Sequence, residues 1–227
     1  MPDEICPVCS GGGKFFYKTG KKGRSESEVK RFFFLCPSCS LVFQSILSLP
    51  RPDEELARYE LHRNDKEDEG YRNWLGSFIK SSVVPWYHEG NILDFGSGPR
   101  PVLTELLESE GYPVFSYDPF FAPRWPDPDE GPFSLILLCE VLEHIHDPLK
   151  EFKRLNDLAA DGAVLSLKTQ FLPSVDSVDF KGWWYKEDPT HIRFYNSESL
   201  RVLGAQSGWD LVREDGKSLA VYKKSSP

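Results

Sequence analysis

From residue 91 to the end, strand-like and helix-like segments alternate, and this alternation constrains the fold more than any other feature. The first unit, "NILDFGSGPRPVL", reads as a buried strand, a glycine turn and the start of a helix. The helix "PVLTELLESEG" has Pro101 near its start, Val102, Leu103, Leu106 and Leu107 on one face, and Gly111 as its stop. Strand patterns follow in "PVFSYD", in the continuous apolar run "PFSLILLCE" and in "AVLSLKT". The helix "PLKEFKRLNDLAADG" fills the last of these intervals, with Asp147 as cap and Pro148 as first residue. After one more helix, "SESLRVLGAQSG", two strands in "WDLVREDGKSLAVY" meet across Asp215 and Gly216, a strong hairpin signal. The residues therefore predict an α/β unit: a mostly parallel sheet with an antiparallel edge and helices on both faces.

The glycine turn limits the ligand. In such sheets ligands sit at the carboxyl ends of the strands, and the turn after the first strand is where the backbone must come close. Gly96 and Gly98 allow that approach, but Arg100 stands where a dinucleotide loop would place its third glycine. The turn thus predicts a nucleoside without phosphates. Asp118 ends the next strand, one βαβ half-unit later, where an acid accepts hydrogen bonds from a ribose diol. Taken singly, each feature also fits an ordinary strand-end turn.

Four of the five cysteines form matched pairs, "CPVC" (Cys6, Cys9) and "CPSC" (Cys36, Cys39). Between them lie two aromatic strand-like runs around a polar turn, as a zinc ribbon requires. A redox C-x-x-C would instead be one pair beside a βαβ unit. Four thiolates leave no open coordination position, so the expected Zn²⁺ is structural and supplies the folding energy of a unit too small for its own core. Cys139 reads as buried.

"LSLPRPDEE" separates this ribbon from a polar helical stretch through "ELARYELHRND" and a second helix, "YRNWLGSFIKSSVVPW", with Tyr71, Trp74, Leu75, Phe78 and Ile79 at helical spacing. No apolar run approaches the ~20 residues that span a bilayer. The start, "MPDEICPVC", lacks the features of a signal peptide, so the expected location is the cytoplasm, without disulfides. The net charge is −8, although residues 1–40 carry seven Lys/Arg against four Asp/Glu. A largely acidic surface argues against extensive nucleic-acid binding.

"ILDFGSG", "YDPFFAP", "LCEVLEHIHDP", "LAADGAVLSLKTQF" and "WWYKEDPTHIRFYNSESL" together resemble the class I methyltransferases that use S-adenosylmethionine, in the bacterial branch with an N-terminal zinc ribbon. The resemblance covers nearly the whole chain. It implies the Rossmann-like class I methyltransferase sheet, with its last strand antiparallel, and a cofactor that is a nucleoside without phosphates. The implied parts are a zinc ribbon over 1–48, a helical linker or lid over 49–90, and a cofactor-binding domain over 91–227. Two departures stand out: Arg100 replaces a usual glycine, and the short "PFFAPRWPDPDEG" leaves the strand that commonly serves the adenine shortened or missing.

By the same resemblance Asp94, Gly96 and Gly98 frame the methionine moiety, Asp118 the ribose and Phe120 the adenine, with Cys139 and Glu140 alongside. Tyr59 and His62, three apart on one helix face, are placed to close over the sulfonium, which an aromatic face attracts. Glu143 reads as a cap of the following turn, and His144 as a second histidine near the substrate. After the fourth core strand, where acceptor-binding insertions are expected, Tyr185 and His191 are the acceptor-side candidates, and His191 has the pKa of a base for a hydroxyl proton.

A sulfonium is already a good leaving group, so such an enzyme chiefly aligns the acceptor and excludes water. The reading is a methyltransferase acting on a small-molecule oxygen, nitrogen or carbon nucleophile, as a monomer or weak dimer. An RNA-modifying methyltransferase gripping RNA through the ribbon, and a silent module that only binds the cofactor, are the alternatives.

Overall fold

Each cysteine pair turns the chain back on itself in the same way. Cys6 N donates to Gly11 O at 2.9 Å and Ser10 N to Cys6 O at 3.0 Å; Cys36 N donates to Leu41 O at 2.9 Å and Ser40 N to Cys36 O at 2.8 Å. The first knuckle joins strands β1 (Glu4–Ile5) and β2 (Gly12–Lys18), and the second joins β3 (Phe32–Leu35) and β4 (Val42–Gln44). In this computed structural model, which describes residues 3–19, 30–61, 67–127 and 130–226, all four pair antiparallel in the order β1-β2-β3-β4.

Two helices lead to the second sheet. Helix α1 (Pro52–Tyr59) opens with proline in its first turn, and α2 (Glu69–Ser82) is capped by Asp68, whose side chain accepts from Tyr71 N. Residues 62–66 lie outside the described residues, so the expected continuation of the first helix through His62 is not described.

Strand and helix then alternate: β5 (Asn91–Phe95), α3 (Val102–Ser109), β6 (Val114–Tyr117), β7 (Phe133–Cys139), α4 (Pro148–Leu158), β8 (Ala159–Lys168) and α5 (Ser177–Gly182). The last elements are β9 (Arg193–Phe194), α6 (Ser197–Gln206), β10 (Trp209–Glu214) and β11 (Leu219–Lys224). The sheet order is β10-β11-β8-β7-β5-β6, with β6, β5, β7 and β8 parallel and β11 antiparallel to both neighbours. The expected class I sheet with its antiparallel last strand is therefore observed. The residue pattern alone put the antiparallel strand at the edge; β11 instead inserts beside β8, leaving β10 outermost. Among the described residues β6 is the opposite edge, as the shortened stretch after Asp118 implied.

β7 shows why its apolar run is continuous. Leu135 and Leu137 pack on α2 and α3 with Leu75, Phe78, Leu103 and Leu107. Ile136 and Leu138 pack on the opposite face with Phe152, Leu155, Leu200 and Leu203 from α4 and α6. A strand covered on both faces has no polar positions to spare.

Two boundaries differ from the sequence reading. α4 stops at Leu158 instead of running to residue 162, because "AADG" turns at Gly162 (φ +71°) inside an early, bulged start of β8. β9, unforeseen, pairs with β4 through Val42 to Phe194 and Phe43 to Arg193, so the ribbon's sheet takes its fifth strand from the far end of the chain.

Candidate active site

Because β6 and β7 leave β5 on opposite sides, the end of β5 is the topological switch point of the sheet. There the chain turns through Gly96 (φ +82°) and Gly98 (φ +71°), a region that favours glycine. At Gly96 a Cβ would also lie 2.5 Å from Val141 Cγ2. Gly98 N donates to Asp118 Oδ2 at 2.9 Å, while Asp118 Oδ1 accepts from Phe120 N at 2.9 Å and Phe121 N at 3.1 Å. Asp118 thus clamps the glycine turn to the turn after β6. Of the roughly four acceptor positions of a carboxylate it uses three on the backbone.

A cavity of about 620 Å³ opens at these strand ends, a size suited to a nucleoside-like ligand. Its walls include Asp94, Gly96, Gly98, Asp118, Phe120, Cys139 and Glu140 from the sheet, and Tyr59 from α1. His144, Tyr185 and His191 close the far side. Every residue singled out for cofactor or acceptor therefore converges on one space, except His62, which lies outside the described residues. Tyr59 packs against Phe120 and edge-on to His144, with ring centroids 5.6 and 5.3 Å apart.

Asp94 is 2% exposed and accepts a hydrogen bond from Thr104 Oγ1 at 2.7 Å; burial lifts its carboxyl to about 6. Burial also pushes the Cys139 thiol well up, so that residue is a neutral wall rather than a nucleophile.

On the acceptor side, the Tyr185 hydroxyl donates toward Glu140 Oε2 at 2.9 Å and toward Glu143 Oε1, and lies 3.3 Å from Thr169 Oγ1. Burial pushes the Tyr185 phenol and the Glu143 carboxyl well up, and neighbouring Glu140 raises Glu143 further. His144 Nδ1 lies 3.0 Å from Thr190 O and His191 Nδ1 lies 2.7 Å from Tyr185 O, with the two rings 4.7 Å apart. Asp188 starts the turn before His191 and holds Arg58 of α1 at 2.7 Å, so α1 and the segment before β9 are tied by an ion pair.

Residues 84–214, more than half of the chain, match the family model described as methyltransferase domain. The chain belongs to that family. The resemblance drawn from its motifs holds, and membership of this family makes the chain an enzyme. Its fold is shared with Burkholderia thailandensis 1,6-didemethyltoxoflavin-N1-methyltransferase, solved with 1,6-didemethyltoxoflavin and S-adenosylhomocysteine. That likeness has a TM-score of 0.56 at 14% identity and covers 89% of this chain and 99% of that one. A chain of the complex formed with the Haloferax volcanii Trm112 methyltransferase activator gives 0.54 at 13% identity, over 74% and 98%. The pyocyanin biosynthetic protein PhzM gives 0.52 at 12%, over 75% of this chain and 61% of that one. Identities this low show the fold alone. Among curated proteins, none matches the sequence.

Three wall residues escaped the sequence reading. Tyr71 and Trp74, which their spacing places on a helix's apolar face, also line the cavity. Glu55 is buried within a polar helix and meets His146 Nε2 at 2.7 Å. Its only signal, one acid among three, is not a distinguishing one. Glu143, which the sequence suggests as a turn cap, instead buries its side chain wholly against Tyr185.

The four ribbon sulfurs lie within 4.8 Å of one another, with Cys6 to Cys39 at 3.6 Å and Cys9 to Cys36 at 3.4 Å. Tetrahedral zinc with bonds of about 2.3 Å sets its sulfurs about 3.8 Å apart, so this donor set fits the ion closely. No helix among the described residues is long and apolar enough to cross a membrane.

Proposed function

We propose that the chain transfers the methyl group of S-adenosylmethionine to a small-molecule acceptor. One observation carries this reading: the glycine turn and Asp118 share a single cavity with Tyr185, His144 and His191. A nucleoside held at the first set would direct its sulfonium at an acceptor held by the second. Gly96, Gly98 and Asp94 would receive the methionine moiety, Asp94 facing its ammonium group. Asp118 would receive the ribose through its remaining acceptor position and Phe120 the adenine, with Cys139 and Glu140 alongside. Tyr59, joined by Tyr71 and Trp74, would cover the sulfonium with aromatic faces and keep out water. The protein's work is alignment, because the leaving group needs no activation.

The ribbon over residues 1–48 would hold one structural Zn²⁺ through Cys6, Cys9, Cys36 and Cys39. Residues 49–90 would serve as linker and lid, and 91–227 as the cofactor-binding domain. Zinc with four thiolates takes no substrate, so its contribution is to fix the ribbon's sheet.

A small-molecule acceptor is favoured by the cavity's aromatic wall and by the chain's net charge of −8. The test is a metabolite screen with a methyl-labelled donor. The expected result is label on one class of small molecule. Label appearing only on RNA, with binding that weakens steeply with salt, would replace this reading, as would tight cofactor binding with no transfer to any acceptor.

A further inference from the structure

Glu143, His144 and His191 each bring one ligand-capable atom to within 4.8 Å of the others. They come from the turns after β7 and before β9, which are joined by Ile192 N donating to Glu143 O at 2.9 Å. Each imidazole has its Nδ1 against a backbone carbonyl, Thr190 O for His144 and Tyr185 O for His191. A carbonyl can only accept, so Nδ1 carries the proton and, in the neutral ring, Nε2 carries the lone pair. Metal-ligating histidines are held in this way. His144 Nε2 stands 4.0 Å from Glu143 Oε1, a span that two metal bonds of about 2.0–2.2 Å bridge.

The carboxylates give the independent observation. The single Tyr185 hydroxyl proton faces both Glu140 and Glu143. Glu140 Oε1 and Glu143 Oε2 are buried without a hydrogen-bond partner, and Glu143 is 0% exposed. Two carboxylates thus crowd one phenol hydroxyl in a buried pocket, an arrangement whose negative charge a bound cation would neutralise.

We propose that Glu143, His144 and His191 bind one divalent first-row cation whose open positions take the acceptor's hydroxyl group. Two imidazoles and one carboxylate leave coordination sites open, and an N/O set suits Mn²⁺, Co²⁺ or Zn²⁺. This rests on the methyltransferase reading above and names its acceptor class. The bound hydroxyl loses its proton to solvent, because coordination lowers its pKa as it lowers that of bound water. The oxyanion's lone pair then forms the new O–C bond. The C–S bond breaks with its electron pair staying on sulfur, which becomes a neutral thioether, and the cation keeps its oxidation state. His191 thus serves as a ligand, where the sequence suggested a base.

The test uses the full-length, zinc-loaded chain titrated with Mn²⁺, a hard ion that competes poorly for four thiolates, with free Mn²⁺ followed by electron paramagnetic resonance. The expected result is about one Mn²⁺ per chain, weakened at least roughly tenfold in Glu143→Gln and in His191→Ala while zinc content and S-adenosylmethionine binding persist. His144→Gln substitutes for either variant that fails to fold. Failure of Mn²⁺, Co²⁺ and Zn²⁺ alike to bind beyond the ribbon's equivalent, or equal binding by the variants, overturns the proposal. If a chelator that spares the ribbon leaves methyl transfer unchanged, the cation site falls and the methyltransferase reading stands. If the cation binds with this ligand dependence but no acceptor is ever methylated, the site stands and the acceptor reading falls.

Discussion

Asp94 is a buried acid that the fold holds at a cost. Its folded pKa, about 6, lies above the unfolded value, so the folded state prefers the protonated form. Stability from this group is fully present below about pH 4 and is lost as pH rises through about 6. In cofactor-free protein, Asp94→Asn should therefore gain up to about 3 kcal/mol at pH 7.5, with the gain shrinking toward zero near pH 4. Thermal melts across that range check the sign; a gain that grows on acidification contradicts it. Asp118 differs in its contacts, since its carboxyl group already serves three backbone donors. Asp118→Ala should weaken S-adenosylmethionine binding by roughly 1.5–3 kcal/mol, and it should also loosen the glycine turn. A variant with unaltered affinity and a lowered melting temperature would make Asp118 a clamp and nothing more.

At the scale of elements, the ribbon braces the acceptor side of the cavity. Buried Arg31, at the start of the ribbon's second half, donates to Asp188 O at 2.7 Å and to Lys186 O. Asn196 Nδ2 donates to Ser40 O at 3.1 Å, and β4 pairs with β9 just after His191. Removing the ribbon's metal, or Cys36→Ser, should therefore lower turnover of the acceptor by more than it weakens the cofactor. Parallel measurements of kcat/KM and of cofactor Kd decide this, and equal losses in both would mean general unfolding instead. This brace was not legible in the sequence. β9 is two residues long, too short for any periodicity, and its partner lies some 150 positions away. The ribbon's hairpins were legible, because paired C-x-x-C spacing is a local constraint that leaves few alternatives.

For the molecule as a whole, the α/β class and its parallel strands were readable because those strands are mostly apolar and several helices carry a cap or stop of their own, whereas the insertion of β11 beside β8 was not. Asp147 accepts from Lys150 N and Asn196 from Ser199 N, as caps do, and Asp215 closes the hairpin through three backbone donors. The strand-end residues of the site were readable for the same reason, since they follow directly from where strands stop. Tyr71, Trp74 and Glu143 were not, because an apolar helix face or a buried turn acid has the same pattern whether it borders a cavity or a core. The roles proposed for the glycine turn, the ribbon and the sheet all require S-adenosylmethionine to occupy the cavity at the end of β5. Titration calorimetry of the purified chain with S-adenosylmethionine tests it most directly. The expected result is a single site per chain whose affinity falls roughly 10- to 100-fold in Asp118→Ala; a wild-type chain that takes up no S-adenosylmethionine, or one whose binding is indifferent to Asp94, Gly98 and Asp118 together, would contradict it.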